Sequence, residues 1–237
     1  CLHHEQSTAY AALAYSNYSE KFGVCMVSSG CAGTNAITGV LNAWQDGIPC
    51  LFISGQNKLK ETSRFTGIPL RTYGQQEADI ISIVKPITKY AVMIQSPDEI
   101  VYEIEKCIYN LNEGRKGPVW IDIPLDIQNK RIEPESLKHF IFPKSSIPKL
   151  GKKDYEYIKK ELLLSKRPAL LIGGGVRASD SIAELEKFLK KIPIPLTYSA
   201  SAPDTYGTEN HLSIGSVGMM GCSRAGNFTI QNSDLIL

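Results

Sequence analysis

The chain has 237 residues, 43% of them hydrophobic, which allows one or two domains with ordinary apolar cores. Its net charge of +2 gives no electrostatic reason to expect a nucleic acid or an anionic membrane, and no apolar run approaches the length that crosses a bilayer. Six cysteines (Cys1, Cys25, Cys31, Cys50, Cys107, Cys222) form no C-x-x-C pair and no zinc-like spacing with the four histidines, so neither a metal site nor a disulfide is expected. A reducing cytoplasm is the expected compartment.

Residues 5–21 carry Ala9, Ala12, Leu13 and Tyr15 at helical spacing and stop at Phe22-Gly23. A short buried strand follows at 24–27, then a glycine-rich turn over 28–35, a helix over 34–44 and a strand at 50–53 after Pro49. Residues 57–72 form a polar loop bearing Lys58, Lys60, Arg64 and Arg71. It reads as a solvated loop, or as a place to capture a carboxylate or phosphate, a task suited to Arg. A helix is expected over 77–84 and a strand over 88–94. Ser96 as cap and Pro97 in the first turn open a further helix ending at Leu111, and 118–123 is another strand. Strands alternating with helices imply a parallel sheet with right-handed crossovers.

Residues 129–150 break this rhythm with Pro134, Pro143, Pro148 and Ser145-Ser146, and are expected to be a linker between domains at 1–128 and 151–237. The second domain alternates again: helix 154–164, strand 169–172, helix 181–191, strand 195–199. The fold class is therefore α/β, a parallel-sheet domain followed by a Rossmann-like α/β domain. Gly173-Gly174-Gly175-Val176-Arg177-Ala178 fits G-x-G-x-x-A between strand and helix. The acid that NAD would want after the next strand is missing from residues 197–200. A nucleotide-binding module without catalysis stays open as an alternative. The start at Cys1 and the apolar run Leu235-Ile236-Leu237, read as a strand cut off partway, suggest a chain truncated at both ends.

Four motifs occur in order: His4-Glu5-Gln6; Ser28-Ser29-Gly30-Cys31-Ala32-Gly33-Thr34-Asn35; Ile48-Pro49 with Ile53-Ser54-Gly55-Gln56; and Gln75-Gln76-Glu77-Ala78-Asp79. In order and spacing they resemble the pyrimidine-binding domain of the acetolactate synthase family, and the resemblance runs along essentially the whole chain. It implies a thiamine diphosphate enzyme that decarboxylates a 2-keto acid and transfers the resulting enamine to an acceptor. Another thiamine-dependent decarboxylase or C–C lyase is the alternative. In the family the counterpart of Glu5 bonds the N1′ nitrogen of the aminopyrimidine and so helps to deprotonate thiazolium C2. An apolar pocket that raises the pKa of Glu5 would help that role. Gln76 aligns with an active-site glutamine, so Glu5 and Gln76 carry over as catalytic. Gly30 and Asn35, in the loop near the cofactor ring, carry over as cofactor-binding.

The same resemblance implies an FAD site at Arg115, Gly173, Gly174, Gly175, Gly218 and Gly221. It places Mg²⁺ and the diphosphate in a further C-terminal domain, because the chain holds no G-D-G followed by Asn. It also implies a homodimer or homotetramer, with the cofactor between subunits. The sequence departs from the family at Cys31-Ala32 (Pro-Gly there), Gln75 (Phe) and Leu125 (Lys), which bears on substrate choice, and at Met220 (His), which weighs against a required flavin. Each position has a plain structural reading too. Glu5 suits a helix N-terminus, Arg115 suits a helix end, and the glycines suit tight turns.

Overall fold

The computed structural model describes residues 1–144, 148–219 and 221–237, and the chain divides into two compact units, residues 1–146 and 147–237. Met220, where the family has His, lies outside the described residues.

In the first unit, α1 (Glu5–Ser19) is capped by His4, whose Nδ1 accepts from the Gln6 amide at 3.2 Å. It buries Ala9, Ala12 and Leu13 at the apolar spacing expected from the sequence, together with Ser16, whereas Tyr15, also expected on that face, is exposed. Then follow β1 (Gly23–Val27), α2 (Cys31–Asn35), α3 (Ile37–Asp46) and β2 (Cys50–Gln56). The single helix expected over 34–44 is thus two, meeting at Ala36. Next come α4 (Ser63–Thr66), α5 (Ile80–Val84), β3 (Tyr90–Met93), α6 (Ile100–Asn112), β4 (Pro118–Pro124) and α7 (Leu125–Gln128). α5 is shorter than the helix expected over 77–84. Asp79 caps it, accepting from the Ser82 amide, and Glu77 serves loop contacts described below.

The four strands pair in the order β1-β2-β4-β3, all parallel. One face packs Cys25, Phe52 and Trp120 against α1, α3 and α5 through Ala9, Val40, Ala43, Ile80 and Val84. The other packs Leu51, Val119 and Ile121 against Cys107 and Leu111 of α6. Phe52 and Trp120 stack with ring centroids 5.4 Å apart, and both are fully buried. Both faces are covered at the central strands β2 and β4, which explains why these read as continuous apolar runs, while Val24 and Met26 on the edge strand β1 stay exposed.

Part of the segment expected to be a linker packs on the first unit. Glu105 of α6 accepts from the Phe140 amide and pairs with His139 Nδ1, each at 2.7 Å. The Phe140 ring meets Tyr102, Tyr109 and Phe142 at 5.5 Å each. Prolines punctuate residues 129–144, but two phenylalanines give the segment something to bury.

The second unit comprises α8 (Lys152–Leu164), β5 (Pro168–Ile172), α9 (Gly175–Ala178), α10 (Ile182–Lys191), β6 (Leu196–Tyr198), β7 (Ser213–Ser216), α11 (Arg224–Asn232) and β8 (Leu235–Ile236). Its sheet is parallel in the order β7-β6-β5-β8, around Ile172, Leu189, Ile194 and Leu196. The run at 235–237 does form a strand, pairing with β5. Among the described residues no helix is long and apolar enough to cross a membrane.

The contact of α1 with α3 is unusually tight. A Cβ on Gly39 would sit 2.5 Å from the Ala9 Cβ, well inside the 3.5–4.0 Å optimum for carbon. Alanine at 39 would gain about 0.5–1 kcal/mol of helix propensity and lose about 1–3 kcal/mol to overpacking. Gly39→Ala should therefore lower the melting temperature in a thermal unfolding scan, against the usual trend for glycine in a helix.

Candidate cofactor and substrate site

Ligands of parallel α/β sheets bind beyond the carboxyl ends of the strands. In the first unit that edge is where polar side chains replace apolar ones: β2 runs from Cys50, Leu51 and Phe52 to Ser54 and Gln56, and β4 from Val119 and Trp120 to Asp122. Beyond β1, residues 28–30 lead into the short helix α2. Asn35, its last residue, donates from Nδ2 to Glu5 Oε2 at 3.1 Å. The helix head thus joins Glu5 to the glycine-rich turn.

The Glu5 carboxyl is held below the usual carboxylate range. Its backbone N–H and the Asn35 amide are the main causes; partial burial opposes them, and His4 adds a small contribution. The apolar pocket expected to raise it is not what surrounds it here. Donors at a helix N-terminus outweigh burial at a half-exposed side chain. Glu5 is therefore an ionised acceptor near neutrality.

Gly30 and Gln76 come together through their backbones. Gly30 has φ +63°, and a Cβ there would lie 1.9 Å from the Gln76 carbonyl oxygen. Any side chain at 30 would push the two loops apart. Gln76 itself has φ +56°, in the left-handed region that a non-glycine residue enters only when its surroundings hold it there. Its side chain is exposed.

What holds it is a hydrogen-bonded frame. Gln56 Nε2 donates to the Ala78 carbonyl at 3.0 Å, and Asn57 Nδ2 donates to the Gln75 carbonyl at 3.0 Å. Glu77 accepts from the Ser63 amide (2.5 Å), the Ser63 hydroxyl (2.7 Å), the Tyr73 amide (2.7 Å) and the Gly74 amide (3.2 Å). Burial pulls the Glu77 carboxyl up, but these donors outweigh it and keep it below its usual range. Glu77 therefore staples the loop over 63–74 to the start of α5.

The basic loop does not offer a free arginine pair. Arg64 Nη1 bonds both carboxylate oxygens of Asp79, at 3.0 and 3.1 Å, and the Ser82 hydroxyl at 3.1 Å. Ser63, Arg64, Ile68, Arg71, Glu77 and Asp79 are among the residues lining an open cavity of about 370 Å³. With two cations facing two carboxylates, it has no net pull on an anion.

Arg115 lies at the opposite end of this sheet, before β4. Its Nη2 donates to the carbonyl of Gln45, in the last turn of α3, at 2.6 Å. A cation there complements the helix dipole. In the second unit Gly173 and Gly174 follow β5, while Gly218 and Gly221 follow β7, so all four lie beyond the carboxyl ends of the two strands that flank β6; Gly175 opens α9. The Asn227 amide clasps Gly218, accepting from its N–H at 3.1 Å and donating to its carbonyl at 2.9 Å. Arg177, within the glycine-rich run, pairs with Asp204 at 3.0 Å.

Sequence reading missed Asp122 and gave no role to Ser54 and Glu77, although both lie inside the quoted motifs. Asp122 is 1% exposed, and Ser54 Oγ and Gln56 Nε2 donate to its two oxygens at 2.6 and 2.9 Å. Trp120 Nε1 donates in turn to Ser54 Oγ at 2.8 Å. The available signal was an acid within Val119-Trp120-Ile121-Asp122-Ile123, at a position whose alternation faces the core. Cys25, Cys50 and Cys107 are buried, and burial pushes each thiol up, Cys25 to about 11 and Cys107 to about 12. Such thiols are inert.

With this geometry in place, comparison with known proteins gives the class. Residues 1–83 match the thiamine pyrophosphate enzyme N-terminal TPP binding domain, and residues 156–237 match the central domain of the same enzymes. The chain belongs to the thiamine pyrophosphate enzymes. The first match ends inside α5, but β3 and β4 complete the same sheet. More particularly, the chain is acetolactate-synthase-like. It is 31% identical over 239 residues to the acetolactate synthase large subunit of Haemophilus influenzae, covering 99% of this chain and 40% of that protein. It is 33% identical to the Cyanidium caldarium large subunit over 239 residues, 99% of this chain and 39% of that protein. With the probable large subunit of Methanocaldococcus jannaschii it shares 32% over 243 residues, again 99% and 39%. The chain thus spans about 40% of the length of these relatives.

Burial pushes the Asp122 carboxyl up to about 6; the Ser54 and Gln56 donors oppose this, Asp79 adds to it and Arg64 subtracts. The folded protein then keeps a proton that the unfolded chain releases near pH 4. Stability from this group is fully present below that pH and is lost as pH rises through about 6. In urea titrations, wild-type stability minus that of Asp122→Asn should fall between about pH 4 and 6 and stay level above. A constant difference would mean that the carboxyl is not raised.

Proposed function

We propose that this chain is part of an acetolactate-synthase-like enzyme that decarboxylates a small 2-keto acid and transfers the remaining fragment to an acceptor. When bound, thiamine diphosphate supplies the electron sink into which such an acid loses carbon dioxide. The observation that carries the reading is Glu5, an ionised acceptor oriented by Asn35 and one short helix away from the Gly30–Gln76 contact. Glu5 is the group to accept a hydrogen bond from the aminopyrimidine ring and to exchange a proton with it. Gly30 and Asn35 shape the turn beside that ring, and Gln76 presents its side chain at the same edge. The missing side chain at Gly30 lets the Gln76 backbone close on the turn, which brings Gln76 to the same edge as Glu5 and Asn35.

Among the described residues no group of three or more His, Cys, Asp or Glu could hold a metal ion. We assign Mg²⁺ and the diphosphate to other parts of the protein, a reading supported by the chain's spanning about 40% of the length of its relatives. The edge formed by Gly173, Gly174, Gly218 and Gly221 suits the backbone approach of a nucleotide such as FAD. Arg115 is committed to the Gln45 carbonyl, which favours a structural role for it. Self-association into a homodimer or homotetramer is supported by apolar side chains left exposed on the edge strand β1, Val24 at 52% and Met26 at 72%. Three buried thiols suit a reducing cytoplasm.

Glu5→Gln in the full-length protein should keep the fold, since the amide can still meet Asn35. Turnover and exchange of the thiazolium C2 proton, followed by NMR, should fall about 10²–10⁴-fold. An unchanged exchange rate would remove Glu5 from the mechanism.

The flavin has its own test. Full-length protein purified without added flavin should be colourless, and Arg115→Ala should lower the melting temperature while leaving turnover near wild type. A yellow preparation bleached by that substitution would assign Arg115 to FAD instead.

A further inference from the structure

We propose that Asp122 is a positioning residue, which sets the backbone of Gln76 against Gly30 by fixing the amide of Gln56. The inference rests on the reading above in one respect only, that Gln76 faces the reacting groups.

Asp122 faces the same side of the sheet as Trp120 and Phe52, where an apolar residue would cost nothing. A carboxylate there is expensive unless hydrogen bonds compensate it. Each of its oxygens has one donor, Ser54 Oγ and Gln56 Nε2, and Trp120 pins Ser54 from behind. The consequence falls on Gln56, itself only 6% exposed. A side-chain amide has a donor end and an acceptor end of similar shape, and a carboxylate tolerates only the donor end. Asp122 thereby turns the Gln56 NH₂ toward the sheet and toward the Ala78 carbonyl. Oε1 must then face Asn57, whose amide N–H donates to it at 3.0 Å. Asn57 passes the constraint on, donating from Nδ2 to the Gln75 carbonyl.

The carbonyls of Gln75 and Ala78 flank Gln76 and are both held by a chain of bonds rooted in Asp122. Between them lies the left-handed Gln76, with its carbonyl packed where Gly30 has no side chain. The other charged groups acting on Asp122 are Arg64 on α4 and Asp79 at the head of α5, and these neutralise one another. With that pair closed on itself, the carboxylate's direct bonds run to Ser54 and Gln56 and from there into the Gln76 loop.

The test uses the intact protein with its cofactors and three variants: Asp122→Asn, Gln56→Leu and Asn57→Ala. The last breaks only the outermost link, so it reports even if a buried change fails to fold. Amide hydrogen exchange over residues 75–78 should rise about tenfold or more in each variant, while exchange over β1 stays at its wild-type rate. Misplacement of Gln76 should lower kcat by about 10²-fold with little change in KM, and this loss should vanish in a Gln76→Ala background. Exchange that rises equally over β1, or does not rise over 75–78, would overturn the proposal and leave Asp122 a core residue only. Faster exchange confined to 75–78, with Gln76→Ala turning over like wild type, would support the positioning and refute the catalytic reading of Gln76.

Discussion

A parallel sheet covered on both faces at its central strands constrains everything else in the first unit. Those strands must be apolar through most of their length, so polar side chains can emerge only at the strand ends. β2 and β4 make that change within two residues, at Ser54, Gln56 and Asp122. The loops that cross this edge are then held by side chains rising from the sheet and from the turn before α5, as Gln56 and Glu77 hold theirs. Glu5 reaches the edge by another route, through a helix packed so tightly on α3 that Ala9 meets Gly39 with no room between.

Two carboxylates near this edge are pushed in opposite directions. Glu5 is lowered by donors at a helix head, and Asp122 is raised by burial. Such divergence between acids of similar intrinsic strength is how one fold assigns different tasks to the same chemical group. The partly buried acid, Glu5, stays ionised and is free to accept hydrogen bonds. The buried one costs stability in its ionised form and gives orientation in return.

Much of the fold was legible because periodicity and punctuation are local. The strands other than β7, with α1, α3 and α6, follow from apolar spacing, Gly23 and Ser96-Pro97. Glu5 and Gly30 were legible as parts of a motif. The hydrogen-bonded frame was not, because Gln56 and Asp122 are 66 residues apart and Ser54 and Asp122 are 68 apart. No local period records such a pairing. The helix expected from residue 77 was lost to tertiary demand, since Glu77 bonds Ser63, Tyr73 and Gly74 instead of extending α5. The docked Phe140 was hidden by a proline-rich composition, and the partner of Arg115 by its separation from Gln45.

The frame around Gln76 grips main-chain carbonyls, and this bears on how such a protein can diversify. The side chains of Gln75 and Gln76 are exposed and take no part in anchoring their own loop. Residue 75 can therefore change size or polarity without loosening the mount. At residue 76 the left-handed backbone admits glycine, asparagine or aspartate most readily and resists β-branched side chains. Change at this edge is thus easy at residue 75 and resisted at residue 76, on a scaffold that need not be rebuilt each time.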